Sequence, residues 1–223
     1  MKRFLITAAM LGLLWGTPAP AFAATGGAWY TFDGGLGGVL VARGSGGGAV
    51  RAAGGIVAFP ARCAPAKGQS CPRAILQGTD DPALDPGTQA FHYGAVLRLA
   101  PGQTSAGSNV VQKGYADARS QWKLQIDGYA GLPSCVLVGR GSRRIHLARS
   151  AVTIADDRWH RVTCWRSPGA LAIDVDGVRR AQVPVPAGLV IGNDLPVRIG
   201  GKNPQQRNDQ FHGQLDEVFF ALN

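Results

Sequence analysis

Hydrophobic and polar residues alternate in short runs along most of the chain, with Gly, Pro, Asn or Asp between the runs. The alternation is clearest in residues 91–99, where every second residue from Phe91 is apolar, and it recurs in residues 121–126. A period of two is typical of a strand with one buried face. No ten-residue segment has the 3.6-residue apolar period of a helix, so the pattern predicts strands almost throughout.

The same criteria predict thirteen strands along the chain. They are residues 29–32, 39–43, 56–59, 91–99, 110–113, 121–126, 136–139, 144–147, 159–166, 171–175, 178–182, 197–199 and 214–221. Asp176-Gly177 lies between two alternating runs, and this dipeptide favours a two-residue hairpin turn with positive φ at both positions. Many short strands separated by turn residues indicate an all-β sandwich or barrel.

Residues 60–87 are rich in Pro, Gly and Asp and are predicted to be irregular. They could link two domains, but the 36 residues between the predicted start of the mature protein and this segment are too few for a domain. We therefore predict a single domain over residues 24–223. The count of 32 Gly among 223 residues fits an architecture with many tight turns.

The first 23 residues have the organisation of a secretory signal peptide. Lys2 and Arg3 precede an apolar run of about a dozen residues, and Ala21-Phe22-Ala23 has the small-x-small form of a cleavage site. A transmembrane anchor is the alternative, but the run is too short to span ~30 Å of hydrocarbon. We expect a secreted protein that is not inserted in a membrane and that begins near Ala24.

Export changes the interpretation of the four cysteines, Cys63, Cys71, Cys135 and Cys164. An even number of cysteines outside the reducing cytosol predicts two disulfides, for which three pairings are possible. Cys63–Cys71 would close one Pro/Gly-rich loop, and Cys135–Cys164 would join two predicted strands. A zinc site is the competing hypothesis, but its ligand pairs usually lie two to four residues apart, and these cysteines do not.

Several stretches, taken in order, carry a family resemblance. They are the opening Trp-Tyr-Thr-Phe-Asp at 29–33, the Asp/Pro/Gly-rich lead into a core strand at 81–91, Asp-Arg-Trp-His-Arg-Val at 157–162, the Asp-Gly hairpin at 171–177, and the closing segments 198–201 and 211–218. Together they resemble the laminin-G-like branch of the concanavalin A-like lectin/glucanase jelly rolls. The resemblance implies two antiparallel sheets packed face to face, one of them concave and often carrying the binding or catalytic groove.

Catalysis of the glucanase kind requires acids that this chain lacks. Glycoside hydrolysis uses two carboxylates, which glucanase relatives supply as Glu-x-Asp-x-x-Glu on one strand. Glu217 is the single Glu of the sequence, so that motif is absent. Asp174 and Asp176 alternate onto one face, but Asp176 is assigned to the hairpin turn. We expect a non-catalytic module. An enzyme with unconventional acids, or an adhesive surface protein without a small ligand, are the alternatives.

The expected ligand is a carbohydrate or an anionic extracellular polymer, bound on the concave face. Trp rings offer sugars a flat apolar surface with a donor at the edge. Two predicted strands would contribute to this face: His92, Val96 and Arg98 from one, and Trp159, Arg161, Thr163 and Trp165 from the next. Alternation leaves open whether Trp159 and Trp165 are exposed or part of the core. His160, on the opposite side of that strand, is predicted to pack and to bond the backbone.

The resemblance also implies a structural calcium ion. In glucanase relatives calcium is held by an Asp of the last strand and by backbone carbonyls near the N-terminus. Asp216 and Asp33 occupy such positions here, and Ca²⁺ requires six to eight oxygen ligands. Alternatively, Asp33 caps the Asp33-Gly34-Gly35 turn and Asp216 bonds a neighbouring backbone group. No other cofactor is expected.

The chain carries an excess of positive charge. The formal net charge of +9 falls to +7 once Lys2 and Arg3 are removed. Arg143 and Arg144 lie within a ten-residue stretch that also contains Arg140, His146 and Arg149. A cationic surface on an exported protein attracts anionic polymers, although solvated arginine is the simpler interpretation. Nucleic acid is not an expected partner, because no nucleic-acid-binding motif occurs.

Overall fold

The computed structural model describes residues 26–117 and 119–223, so the predicted signal peptide lies outside the described residues. Fifteen strands and two short 3-10 helices, Pro82–Leu84 and Pro101–Gln103, make up the regular structure. The strands are β1 (Gly27–Tyr30), β2 (Val41–Ser45), β3 (Arg51–Ala53), β4 (Ile56–Ala58), β5 (Arg73–Gln77), β6 (Phe91–Arg98), β7 (Gly107–Gly114), β8 (Gln121–Asp127), β9 (Leu132–Val138), β10 (Ile145–Arg149), β11 (Trp159–Ser167), β12 (Ala170–Val175), β13 (Val178–Pro184), β14 (Val197–Ile199) and β15 (Gln214–Leu222).

The strands form two antiparallel sheets. One has eight strands in the order β13-β12-β11-β6-β15-β4-β3, with β1 also paired to β15. The other has seven strands in the order β10-β9-β8-β7-β14-β5-β2. This arrangement confirms the predicted all-β, two-sheet jelly-roll sandwich in one domain. In the part of the chain that the structure describes, no helix is long and apolar enough to cross a bilayer.

The core lies between the sheets and is built from the alternating positions seen in the sequence. Every second residue of β6 from Phe91 to Leu97 is fully buried, as are the inward residues Trp122, Leu124 and Ile126 of β8. Burial of one large apolar side chain contributes about 1.5–3 kcal/mol, so this shared core is the main source of stability. The Asp176-Gly177 turn is also confirmed, with φ of +54° and +76°.

Residues 60–87 are less irregular than predicted, because Arg73–Gln77 forms β5 between β14 and β2. Its three central residues, Ala74, Ile75 and Leu76, are buried on both faces of the sheet, so the strand has no alternation to reveal it. The short edge strand β3 was also not predicted, because all three of its residues are exposed. The prediction of a wholly irregular excursion is wrong.

Two disulfides join Cys63 to Cys71 and Cys135 to Cys164, as predicted. The first closes a local loop before β5. The second connects β9 of the seven-stranded sheet to β11 of the eight-stranded sheet and therefore crosses the core. Both cysteines of this cross-sheet disulfide are fully buried.

Candidate functional site

The side of the eight-stranded sheet that faces away from the core carries the candidate site, and we call it the outer face. Strand pairing sets its side chains in rows, and one row runs across four strands as Trp29, Phe219, Gly94 and Thr163. Because antiparallel partners lie about 5 Å apart, residues distant in sequence become neighbours in such a row. The outer face therefore combines residues from both ends and the middle of the chain.

Four rings on the outer face form a continuous aromatic strip, made of Trp29, Phe219, His92 and Trp165. Trp29 stacks on Phe219 with ring centroids 4.9 Å apart, Phe219 lies 5.9 Å from His92, and His92 stacks on Trp165 at 4.6 Å. Trp29 is 52% exposed and covers Phe219, which is 3% exposed. The strip thus has a buried floor and an accessible indole above it.

Gly94 is the position that allows Phe219 to lie flat on the sheet. A Cβ at residue 94 would stand 2.7 Å from the Phe219 ring and 2.1 Å from the carbonyl oxygen of Val162. Both distances are shorter than van der Waals contact, so a larger residue would push the ring away. The close approach of Phe219 explains why a strand interior accepts glycine here.

Charged groups flank the aromatic strip. The Arg161 guanidinium lies 5.5 Å from the Phe219 ring centroid and hydrogen-bonds to the Glu217 carboxylate. Farther along the same strands, Arg98 donates two hydrogen bonds of 2.9 Å to Asp157. The Arg98 guanidinium hydrogen-bonded to Asp157 lowers the pKa of that carboxyl. The planar guanidinium and carboxylate groups of these two ion pairs therefore lie beside the strip as hydrogen-bond donors and acceptors.

The structure places Trp159 and Trp165 on the outer face rather than in the core. Trp159 is 38% exposed and Trp165 is half-buried, whereas Val162 and Cys164 on the opposite side of β11 are fully buried. The indole nitrogen of Trp165 is buried and has no hydrogen-bond partner among the described residues. His92, Arg98, Trp159, Arg161 and Trp165 thus share one surface.

His160 has different partners from those predicted. Its Nδ1 lies 2.7 Å from Asp176 Oδ2 and its Nε2 lies 2.9 Å from Asp156 Oδ1. Burial alone would lower the pKa of His160, but the two carboxylates outweigh burial and raise it. The predicted backbone bond is wrong for this side chain. His160 thus forms a clamp between the two carboxylates at the start of β11.

Asp33 and Asp216 lie near the point where β15 changes partners. Leu215 pairs with β4 and Val218 pairs with β1, and a bulge in β15 leaves Asp216 between them without a partner in β6. Asp33 Oδ1 and the Thr31 carbonyl oxygen both approach Gly55 of the β3–β4 turn, at 2.7 and 3.9 Å from its Cβ position. These oxygen donors suit a calcium ion.

The oxygen donors that the structure places at Gly55 are the Asp33 carboxylate and the Thr31 carbonyl. In the described part of the chain, no group of three or more His, Cys, Asp or Glu side chains is placed to hold a metal.

The arginine-rich stretch 140–149 does not form one surface. Arg143 and Arg144 are exposed in the β9–β10 loop, and Arg149 is exposed on β10. His146 instead points inward and is buried, and Arg140 bonds the Gly192 carbonyl. The structure brings together only the two loop arginines.

Two members of the aromatic strip, Trp29 and Phe219, were not predicted from the sequence. Both lie in strands that were predicted, β1 and β15, where they occupy the polar-side positions of the alternation. The sequence signal that could have indicated them is an aromatic residue at a position that alternation assigns to the solvent side of a strand. Their partnership depends on the pairing of β1 with β15, which no local pattern shows.

A sequence profile of laminin-G type, described as the concanavalin A-like lectin/glucanases superfamily, matches residues 80–220. The chain belongs to this superfamily. A search of curated protein sequences finds no significant match.

Solved structures of the concanavalin A-like fold match most of the chain. Domain 4 of AbnA, an extracellular arabinanase of Geobacillus stearothermophilus in complex with arabinotriose, is 17% identical, with a TM-score of 0.58, 88% of this chain covered and 91% of that one. An endo-1,3-β-glucanase from Streptomyces sioyaensis is 15% identical, with a TM-score of 0.56 and coverages of 93% and 99%.

A structure of botulinum neurotoxin type C, whose cell entry depends on interaction with two ganglioside molecules, is 11% identical with a TM-score of 0.58. The match covers 82% of this chain and 42% of the toxin chain, so the protein spans less than half of that structure. The superfamily thus contains both enzymes and binding domains on one fold.

Proposed function

We propose that the protein is a secreted, non-catalytic glycan-binding module that binds sugar on the aromatic strip. The observation that carries the proposal is the exposed Trp29 ring above Phe219, flanked by the Arg161–Glu217 pair. An indole face packs against the C–H face of a pyranose or furanose ring, and adjacent planar polar groups bond its hydroxyls. The two disulfides agree with an oxidising, extracellular location.

The carboxylates of the outer face argue for binding rather than hydrolysis. Glu217, Asp174 and Asp157 each pair with an arginine, namely Arg161, Arg179 and Arg98 in that order. A glycosidase needs one carboxyl that stays protonated near neutral pH, which burial favours and a neighbouring cation opposes. Each of these three carboxylates is therefore held in an ion pair on the outer face.

The test measures oligosaccharide binding by wild type and by two matched variants. Trp29→Ala removes the exposed ring of the strip, and Ile145→Ala removes a comparably exposed apolar side chain from the other sheet. Titration calorimetry with arabinotriose, a β-1,3-gluco-oligosaccharide and the best binders from a glycan array supplies the affinities. We expect Trp29→Ala to weaken binding about tenfold, equivalent to ~1.4 kcal/mol, and Ile145→Ala to leave it unchanged.

Three results would contradict the proposal. Equal affinity of wild type and Trp29→Ala for every bound glycan would place binding elsewhere. Release of new reducing ends from a polysaccharide, abolished by Asp174→Asn or Glu217→Gln, would show an enzyme with unconventional acids. No binding across the array would favour an adhesive protein without a small ligand.

A further inference from the structure

A cavity of about 280 Å³ lies away from the aromatic strip, where the loop before β5, the β8–β9 turn and the loop before β15 meet. Arg62, Arg73 and Arg207 line it together with His212 and Tyr129. We call it the arginine cavity. Its cations come from three separate stretches of sequence, and none belongs to the arginine-rich stretch 140–149.

The positive charge of the arginine cavity is not neutralised by the protein. Within the described residues, none of Arg62, Arg73 and Arg207 has a carboxylate within 4.0 Å. Asp209 is the one acidic residue among those that line the cavity, and its carboxylate bonds Lys202 at 3.0 Å. Three guanidinium groups and one carboxylate leave this open cavity with excess positive charge, which favours an anion.

The pKa of His212 is affected by the same positive charge. Its Nδ1 donates to the Pro60 carbonyl at 2.7 Å, which leaves Nε2 as an acceptor in the neutral ring. Burial lowers the pKa of His212, and the charges of Arg73 and Arg62 lower it further. The imidazole therefore stays neutral at physiological pH and adds an acceptor rather than a fourth cation.

Two buried polar atoms in the wall of the cavity lack partners among the described residues. They are Nε of Arg73, a donor, and Oδ1 of Asn208, an acceptor. Asn208 itself is completely buried, and its amide nitrogen already bonds the Asn203 carbonyl and Gln210. Both atoms have less than 1 Å² of accessible surface, so they lie beneath the cavity lining rather than on its surface.

The walls are held in place independently of any guest. The Arg62 backbone N–H donates to Gln103 at 2.7 Å, and its guanidinium lies 5.2 Å from the Tyr129 ring centroid. Arg207 has a left-handed backbone, with φ of +57°, and the neighbouring Gln206 side chain bonds the Cys71 carbonyl. A non-glycine residue kept at positive φ costs of order 1 kcal/mol and is characteristic of functional loops.

We propose that the arginine cavity binds the carboxylate of an acidic sugar, a uronic acid residue. The guanidinium groups match the planar carboxylate, the neutral His212 accepts a hydrogen bond from a ring hydroxyl, and the 64%-exposed Tyr129 offers an aromatic surface at the rim. This site adds charge selection to the proposed glycan binding. Its evidence is separate from that for the aromatic strip.

The experiment titrates the intact protein with galacturonate, galactose and inorganic sulfate, followed by calorimetry or NMR. Arg62→Gln/Arg207→Gln removes two cavity charges, and Arg43→Gln/Arg180→Gln removes two exposed charges elsewhere as the matched control. We expect galacturonate to bind, galactose to bind at least tenfold more weakly, and the cavity variant to lose at least tenfold in galacturonate affinity. The control should bind as wild type does, with sulfate competing weakly.

Three outcomes would overturn this assignment. Equal binding of galactose and galacturonate would remove the role of charge. Equal losses in the cavity and control variants would show a general effect of net charge. Sulfate binding tighter than galacturonate would identify a free-anion site rather than a sugar site. Trp29→Ala should not change galacturonate affinity here, so failure of the strip and failure of the cavity are distinguishable.

Discussion

Lys113 offers the sharpest test of how the loops at one end of the sandwich are held. Its side chain is 0% exposed, and its ammonium donates to Asp80 at 2.9 Å, to both oxygens of Asp85 at 2.8 and 3.0 Å, and to the Asn193 carbonyl. One cation at the end of β7 thus connects two long loops. The substitution Lys113→Met keeps the length and approximate volume of the side chain and removes its charge.

The size of the effect follows from what Lys113→Met leaves behind. Removing one member of a buried ion pair costs about 3–5 kcal/mol when the other is left without compensation. Asp80 and Asp85 are 42% and 23% exposed, and Asp85 keeps a hydrogen bond from the Asn193 N–H, so partial rehydration reduces the cost. We expect a loss of about 3 kcal/mol. For a domain of this size that lowers Tm by about 6–12 °C.

The assay is calorimetric or urea unfolding of four proteins: wild type, Lys113→Met, Asp85→Asn and the double variant. Because the two side chains form one network, the double variant should be more stable than the sum of single losses predicts, by about 1 kcal/mol or more. Lys67→Met, at an exposed position, is the control and should leave Tm unchanged. Additive losses, or a Tm for Lys113→Met within 1 °C of wild type, would refute the role of Lys113.

Three further predictions concern metal, pH and charge. Millimolar Ca²⁺ should raise Tm by preferential binding to the folded protein, and Asp216→Ala should abolish the rise. If Ca²⁺ does not shift the Tm of wild type, Asp216 has no metal-binding role and is only part of the β15 bulge. Since the pKa of His160 is raised in the folded state, its stabilising effect should be complete below about pH 6.5 and decline as pH increases through the folded pKa. The difference in unfolding free energy between wild type and His160→Gln should therefore be larger at pH 6 than at pH 9, and a pH-independent difference contradicts the clamp. Wild type should elute from a heparin column above about 0.15 M salt and Arg143→Ala/Arg144→Ala earlier, whereas identical profiles would make these loop arginines ordinary solvated surface.

The local pattern of hydrophobic and polar residues was sufficient to predict most of the strands, but it was insufficient to predict which residues come together in the sites. All thirteen predicted strands are present, because alternation records which side of a strand is buried. β5 was missed for a tertiary reason: the Gln210 side chain bonds both backbone groups of Ala74 and belongs to a loop covering that part of the sheet. A strand covered on both faces has no polar side to reveal its period.

The sites depend on strand order, which single-sequence patterns do not encode. Trp29 meets Phe219 because β1 pairs with β15 at opposite ends of the described chain. Arg143 and Arg144 are adjacent in sequence and form only a small exposed pair, whereas the arginines that converge on a cavity come from distant segments. Charge density along a β chain is thus a poor guide to charge density in space.

The cross-sheet disulfide has a mechanical consequence. Gly27 lies opposite Ala221, so tension applied at the two ends of the described chain would peel β1 from β15 one hydrogen bond at a time. The chain could then not be extended to its full contour length, because the disulfide between Cys135 and Cys164 keeps a 29-residue segment closed. At about 3.4 Å per residue, roughly 100 Å of chain would stay out of reach of the pulling force. A molecule stretched between two attachment points would therefore unravel at its edge strand while β9 and β11 remained tethered.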